Sequence, residues 1–436
     1  MIPRALLIVS LVFGVGCEKT NHENIDKWTR TEKGPGKLEK ALKDDSLDAD
    51  LSAHAAANMI RMGNDPAVRT AFDGMGDARK VQVLGKLAPR LWDLARIEKE
   101  DALPASTQII AKDALINLRK HGDPALKQQI DNYLTDWYGV MSYEGRAKVG
   151  STLGATAVRM IGPPVGKKLG SVLNGVIAAP GQEKTKIRIG DELLLGLAAS
   201  GDPDAVKYVL DVAGMDRGDP TLSKRALNAL RVAYIDPGGR FDLAPPSALE
   251  ANLPALVAIA KDERMMGQAG NDAIELIRTV GAPKCLEPLV SLIALPHPEK
   301  NFRYATAYAA LGCGGPAAIV PAIKALPDAP YAVDDLNGAV SWEIAKQSPR
   351  DKVLAGLREL LADNSRISKW VAIEALAKMK SVEDAPKIAA LSSSKEKLTG
   401  YWGDQSGKDP KDRKTDPTLG QRAKELTDQM SGAPPK

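Results

Sequence analysis

The chain has 436 residues, beyond the roughly 250–300 at which a single hydrophobic core stops growing, so it must divide into domains or spread its core along an axis. Its 44% hydrophobic and 26% charged residues, with 29 prolines and 38 glycines, exclude disordered and collagen-like chains, and a formal net charge of +4 without a sustained basic stripe excludes the footprint of a nucleic-acid binder. Aromatic residues are only 4% and alanine recurs in every apolar stretch, which suits helix-on-helix packing better than pleated sheet, so the chain reads as all-α.

Met1 to Arg4 carry a positive charge, Ala5 to Val15 form an apolar run, and Gly14-Val15-Gly16-Cys17 closes it, the pattern of an export leader. The run is shorter than the ~20 apolar residues that span a bilayer. Small residues leading into a cysteine resemble the lipobox of bacterial lipoprotein signals, although Gly14 stands where leucine is usual three positions before the cysteine. That resemblance implies a signal peptide over 1–16 and palmitate-type acylation of Cys17 as the first mature residue; cleavage elsewhere in an ordinary secretory peptide is the alternative. Loss of Arg4 with the leader takes the net charge from +4 to +3. Glu18, not aspartate, follows the cysteine, and by the same resemblance the address is the cell envelope, at the outer membrane facing the periplasm. Residues 17–36, polar and ending in Gly34-Pro35-Gly36, read as a flexible tether.

Beyond the tether a unit recurs: an Ala/Leu-rich helical stretch, a Gly/Asp/Pro turn, then a second apolar stretch. It is plainest in AKDALINLRKHGDPAL from Ala111, ELLLGLAASGDPDAV from Glu192, NDAIELIRTVGAPKCL from Asn271 and YATAYAALGCGGPAAI from Tyr304, and continues from Trp342 and Ala372. The turn prolines are Pro66, Pro124, Pro163, Pro203, Pro237, Pro283, Pro316, Pro349 and Pro386, with Pro89 a further candidate; from Pro124 the gaps are 39, 40, 34, 46, 33, 33 and 37. Within a unit, Val206, Val209, Leu210 and Ala213, or Ile319, Val320, Ile323 and Leu326, fall on one helix face. Proline just past the turn suits the first turn of the second helix, while the preceding Gly and Asp supply a helix stop and an N-cap. The period and layout resemble the HEAT repeat family. The resemblance covers 37–391 and implies an α-solenoid, a right-handed superhelix of stacked antiparallel helix pairs, HEAT/armadillo-like, whose row of second helices lines a concave binding side.

Between Gly139 and Gln182 the chain is glycine-rich, with Gly162, Gly166 and Gly170 spaced by four, as are Gly150 and Gly154. Small residues at that spacing let helices approach closely. They would serve either one more tightly packed repeat or a membrane-touching patch over 150–175; Pro163, Pro164, Lys167 and Lys168 interrupt any spanning helix. Residues 392–417 read as a polar, mobile loop, 418–430 as a C-terminal capping helix with Leu419, Ala423, Leu426 and Met430 in register, and 431–436 as a disordered tail.

Motifs for chemistry do not emerge. The histidines at 22, 54, 121 and 297 stand alone in sequence, without zinc spacing, and no nucleophile elbow or P-loop is present. Asp44, Asp45, Asp48 and Asp50 lack the glycine and distal glutamate of a calcium loop and read as a solvated helix start. Cys285 and Cys313 sit near turns of adjacent units, as a disulfide or as two buried thiols. Trp342 and Trp370 fall on helices among apolar neighbours and read as core or half-exposed packing residues, not ligand-stacking ones. Trp137, Tyr138, Tyr401 and Trp402 lie where the helical pattern weakens and are the candidate partner contacts. The sequence thus points to a non-catalytic, lipid-anchored scaffold that binds other proteins, with no cofactor, metal, nucleic acid or small-molecule substrate. An assembly factor or accessory subunit touching lipid through 150–175 is the other reading.

Overall fold

The structure, a computed structural model, describes residues 19–96, 105–140, 154–178, 189–215, 220–262, 268–295 and 300–431. Among them every regular element is helical, and the isolated bridge Lys397–Thr418 is the sole β-type pairing. The repeat region expected over 37–391 falls into two compact units, Met1–Leu153 and Gly154–Lys436.

The first unit comprises α1 (His22–Trp28), α2 (Gly34–Lys43), α3 (Ala49–Arg61), α4 (Asp65–Gly74), α5 (Asp77–Ala95), α6 (Ala105–Leu118) and α7 (Pro124–Val140). Here the expected tether over 17–36 is corrected, because α1 packs on α2 and α3 and buries Ile25 and Trp28. Asn21 caps it by accepting from the Asn24 N–H at 2.8 Å, and Pro35 lies in the first turn of α2 instead of closing a linker. Two apolar residues three apart suffice for a one-sided helix, a signal too sparse to stand out in a polar segment. Pro66 and Pro124 open α4 and α7 as expected of turn prolines, and Asp123 caps α7 by accepting from the Leu126 N–H at 2.8 Å. Pro89, by contrast, lies inside α5. Of the acidic cluster, Asp48 caps α3 through the Asp50 N–H and Asp44 accepts from Ser46.

The second unit comprises α8 (Gly154–Ile161), α9 (Pro163–Ala178), α10 (Asp191–Ala199), α11 (Pro203–Ala213), α12 (Pro220–Tyr234), α13 (Ser247–Glu250), α14 (Leu253–Lys261), α15 (Gln268–Val280), α16 (Leu286–Ile293), α17 (Lys300–Gly314), α18 (Ile319–Lys324), α19 (Ser341–Ala345), α20 (Arg350–Leu361), α21 (Arg366–Lys378), α22 (Ala385–Ala389) and α23 (Leu419–Met430). These helices form two rows. The first helices of successive pairs, α8, α10, α12, α15, α17, α19, α21 and finally α23, each touch the next; the second helices, α9, α11, α14, α16, α18 and α20, do the same. Across the rows α10 meets α11, α14 meets α15, α16 meets α17 and α20 meets α21. This is the all-α solenoid arrangement of stacked helix pairs.

The packing follows from the side chains. Val206, Val209, Leu210 and Ala213 are all buried on α11, each large apolar side chain worth about 1.5–3 kcal/mol when removed from water. At the turn before α11, Gly201 takes a positive φ of 68°, and a Cβ there would lie 2.9 Å from the ring of Pro245, so glycine is required on both counts.

At the C-terminal end α23 covers α21. Leu419, Ala423 and Leu426 are buried, and Thr418 with Gln421 forms a reciprocal capping box. Under it, Glu374 of α21 is 1% exposed and accepts from Arg422 Nε at 2.7 Å and Nη2 at 3.0 Å, and from the Trp370 indole at 3.3 Å. The loop 392–417, expected to be mobile, is instead pinned by backbone: Leu398 N–H donates to Pro417, Val333 N–H to Tyr401 and Leu419 N–H to Glu396, at 2.8–2.9 Å. Its polar side chains face water while its main chain supplies the fixed contacts, which composition does not reveal.

Glu374→Ala leaves Arg422 with only the exposed Glu425, and the expected cost is up to about 3 kcal/mol. The readout is a lower thermal midpoint with early protease release of the segment after Ser392. An unaltered digestion pattern would mean that α23 docks through apolar contacts alone.

Candidate protein-binding surface

The first-helix row of the second unit carries a cavity of about 300 Å³. Asn271, Ile274 and Glu275 of α15 form one wall, Tyr304, Ala305 and Tyr308 of α17 the floor, and Ala339 the other wall. Ala339 belongs to a π-helical turn, Asp334–Val340, that leads into α19. Tyr304 and Tyr308 are one helical turn apart and so share a face. Trp342, at the first turn of α19, is 51% exposed, an unusual state for the largest apolar side chain.

The aromatic groups are set among charges. Tyr308 bonds the Glu343 carboxylate, whose charge pushes the phenol above its ordinary pKa, and burial with the nearby Asp335 does the same to Tyr304. Burial also raises Asp335, which accepts from the Ala332 N–H at 3.1 Å. Glu275 meets Arg278 at 3.1 Å. Lys378 of α21 lies 5.1 Å from the centre of the Trp342 ring and bonds Asn337, and burial lowers its pKa. The face therefore combines flat π surfaces with carboxylates, and one side chain of this chain already shows the cation-over-indole contact it favours. Among the described residues no group of three or more His, Cys, Asp or Glu converges as a metal site.

The residues expected to contact a partner lie elsewhere. Trp137 and Tyr138 are 2% and 3% exposed, packed edge to face with centroids 5.0 Å apart, and the buried Lys112 ammonium sits 5.1 Å from the Trp137 ring. Tyr401 is 5% exposed and stacks on Trp370. These three are interior residues, not contact residues, because an interrupted periodicity marks a helix end and says nothing of which way a ring turns. Trp402 is exposed; its indole donates to the Thr415 carbonyl at 3.1 Å and Lys414 lies 4.3 Å from its ring. Of the two states their apolar neighbours allowed, Trp370 takes the core one and Trp342 the half-exposed one. The signal that was there to read is YATAY, two tyrosines at i and i+4. The cavity also lies on the row of first helices and not on the second-helix row that the family resemblance implied.

Cys285 and Cys313 are joined as a disulfide with Cα atoms 6.4 Å apart, tying the start of α16 to α17. Cys17 and His297 lie outside the described residues. His121 sits 3.4 Å from Asp73, whereas His22 and His54 are not alone: their Nδ1 atoms are 2.8 Å apart.

Gly166 and Gly170 of α9 face inward, whereas Gly175 is exposed. A Cβ on Gly166 would come within 2.5 Å of the Ser200 hydroxyl, and one on Gly170 within 2.7 Å of the Tyr208 ring. Their spacing of four is the imprint of α11 and its preceding turn on α9, so of the two readings the packed repeat accounts for these residues; Gly150 lies outside the described residues. Among the described residues one helical stretch, Phe302–Lys324, is long and apolar enough by length and composition to cross a membrane, yet half of its most apolar window is buried and its α17 part lines the cavity.

The two stacked rows define an all-α helical-repeat protein. Among solved structures, one match is the UNC-45 chaperone, in work on features critical for binding and folding muscle myosin; it is 13% identical with a TM-score of 0.24, covering 85% of this chain. The chain spans 49% of that protein, about half its length. No family model and no curated protein matches the chain. The helical-repeat assignment rests on the packing itself.

Gly170→Leu is expected to lower the stability of the second unit by about 1–3 kcal/mol through overpacking against Tyr208. Gly175→Ala, where a Cβ meets nothing within 4 Å, should be neutral or stabilise by about 0.5–1 kcal/mol. Thermal midpoints of the two variants check this; equal shifts would mean that the face carrying Gly170 is not the packed one.

Proposed function

We propose that the chain is a HEAT-like adaptor without catalytic activity, anchored to the envelope through acylated Cys17 at the outer membrane and facing the periplasm, that holds a segment of another protein. The grip lies on the first-helix row, where Tyr304 and Tyr308 line the cavity and exposed Trp342 follows three positions after the lining residue Ala339. The observation that carries this reading is the exposure of Trp342 and Tyr308 beside a concave space in an otherwise alanine- and leucine-packed stack. Glu275, Glu343 and Asp335 with the aromatic faces favour a partner segment that presents an arginine or lysine among apolar residues. The inward-facing Gly166 and Gly170 of α9 support protein binding over lipid contact through 150–175.

A photocrosslinking amino acid at position 308 or 342 in growing cells should yield discrete protein adducts, whereas the same group at Lys352, exposed on α20 of the other row, should not. Adducts from position 352 alone would overturn the placement. On an array of otherwise identical apolar peptides carrying Arg, Lys, Gln or Glu, the purified chain should retain the cationic members at least about tenfold better, and Glu343→Lys should erase that preference. For the anchor, labelled palmitate should enter the wild-type chain and not Cys17→Ser; equal labelling would refute acylation at this cysteine.

A further inference from the structure

We propose that His22 and His54 form a pH-sensitive latch that docks α1 onto α3 and loosens it on acidification. His22 is the first residue of α1 and His54 lies in the middle of α3. Between two carboxylates the rings make an unbroken chain: Asp50 lies 3.3 Å from His22 Nε2, the two Nδ1 atoms are 2.8 Å apart, and His54 Nε2 lies 2.8 Å from Asp26. Asp26 is further held by the Asn58 amide at 3.0 Å, and Asp50 by Arg90, whose Nη2 reaches both oxygens at 3.0 Å.

Proton counting follows from this geometry. Each Nε2 faces a carboxylate and so carries its hydrogen. The gap between the two Nδ1 atoms is a hydrogen bond only if one nitrogen has a proton and the other has none. The docked pair thus holds three protons on four nitrogens, one imidazolium donating to one neutral imidazole. A fourth proton sets N–H against N–H and two like charges in rings whose centroids are 5.0 Å apart. Moving α1 away from α3 relieves both.

The surrounding charges oppose one another at His54. From α5, Arg90 and Lys86 face Asp50, and Arg90 also opposes a charge on His54. From α1, Asp26 favours that charge, while Glu23 and Lys27 pair with each other at 2.7 Å. Lys37 of α2 lies over Trp28, Asp65 of α4 pairs with Arg69 at 2.9 Å, and Lys112 of α6 pairs with Asp113 at 2.5 Å. Burial first, then Arg90 and His22, outweigh Asp26 and bring His54 below its ordinary value. The docked pair keeps one proton between its Nδ1 atoms and excludes a second, so docking weakens when the fourth proton is added; for His54, lowered in the docked state, that loss runs from the undocked value of about 6.5 down through the docked one.

With the latch shut, the helix begins at His22, five residues from Cys17; with α1 released, the next helix begins at Gly34. At about 3.4 Å per extended residue the reach from Cys17 grows from roughly 17 Å to roughly 58 Å. This consequence rests on the proposed anchor, whereas the latch itself does not.

The test uses the full mature chain. Hydrogen exchange, corrected for intrinsic rate, should show α1 losing about tenfold protection between pH 7.5 and 5.0 while α3 and α5 keep theirs, and His54→Gln should remove that pH dependence. Titration of the 15N-labelled wild-type histidines should show His54 losing its proton below the ordinary value, in a step coupled to the neighbouring ring. Unchanged α1 protection, an equal loss in His54→Gln, or two independent transitions near the ordinary value would overturn the proposal. If His54→Gln does not fold, the wild-type exchange and titration decide alone.

Discussion

Each helix of this chain has an apolar face that it cannot cover by itself. On α11 the buried side chains follow one stripe, and the stripe is closed by α12 across the rows and by α9 and α14 along its own row. Closure by neighbours on both sides is what makes a helix pair a repeating unit and lets the hydrophobic core lengthen without thickening. Alanine at Ala198, Ala199, Ala205 and Ala213 keeps the backbones close, and Gly166 and Gly170 of α9 carry the same principle to its limit, where even one methyl would collide with Ser200 or Tyr208.

Such a stack satisfies its interior through repetition, so whatever departs from repetition stands out. Ordinary positions on the first-helix row are covered by the next first helix. At α17 the register is disturbed by the π-helical turn that precedes α19, and the space beside Tyr304 and Tyr308 remains open. A π turn inserts one residue into the helical ladder and redirects the side chains after it, and Trp342 follows that turn. The exposed aromatic face and the local break in helical geometry are therefore parts of one feature.

The chain ends are managed differently. At the C-terminal end the stack is closed by α23, whose outer face is polar and whose docking includes the buried Glu374–Arg422 pair. Such a pair adds little net energy over an apolar contact, but removal of either member is costly, so it defines where α23 sits. In the first unit α1 is short, with two apolar anchors, and its contacts with α3 include the His22–His54 imidazole pair. A short element held partly by titratable groups belongs to the low-stability end of a structure, where opening is local.

The amino-acid sequence by itself determined the helical class, the helix–turn–helix unit, the helix-opening role of Pro66, Pro124, Pro163 and Pro203, and the faces that are buried. All of these are set by interactions between residues three or four apart, or by proline and glycine acting on their own backbone. Tertiary structure decided which aromatic rings are interior, because Trp137, Tyr138 and Tyr401 are covered by residues distant in the chain, while Trp342 is uncovered by a turn that has no sequence period. It likewise decided that residues 22–28 fold onto α3, that the loop after Ser392 is pinned by main-chain bonds, and that His22 meets His54 across thirty-two positions. Contacts of that separation depend on how helices stack, and helical periodicity holds no record of it.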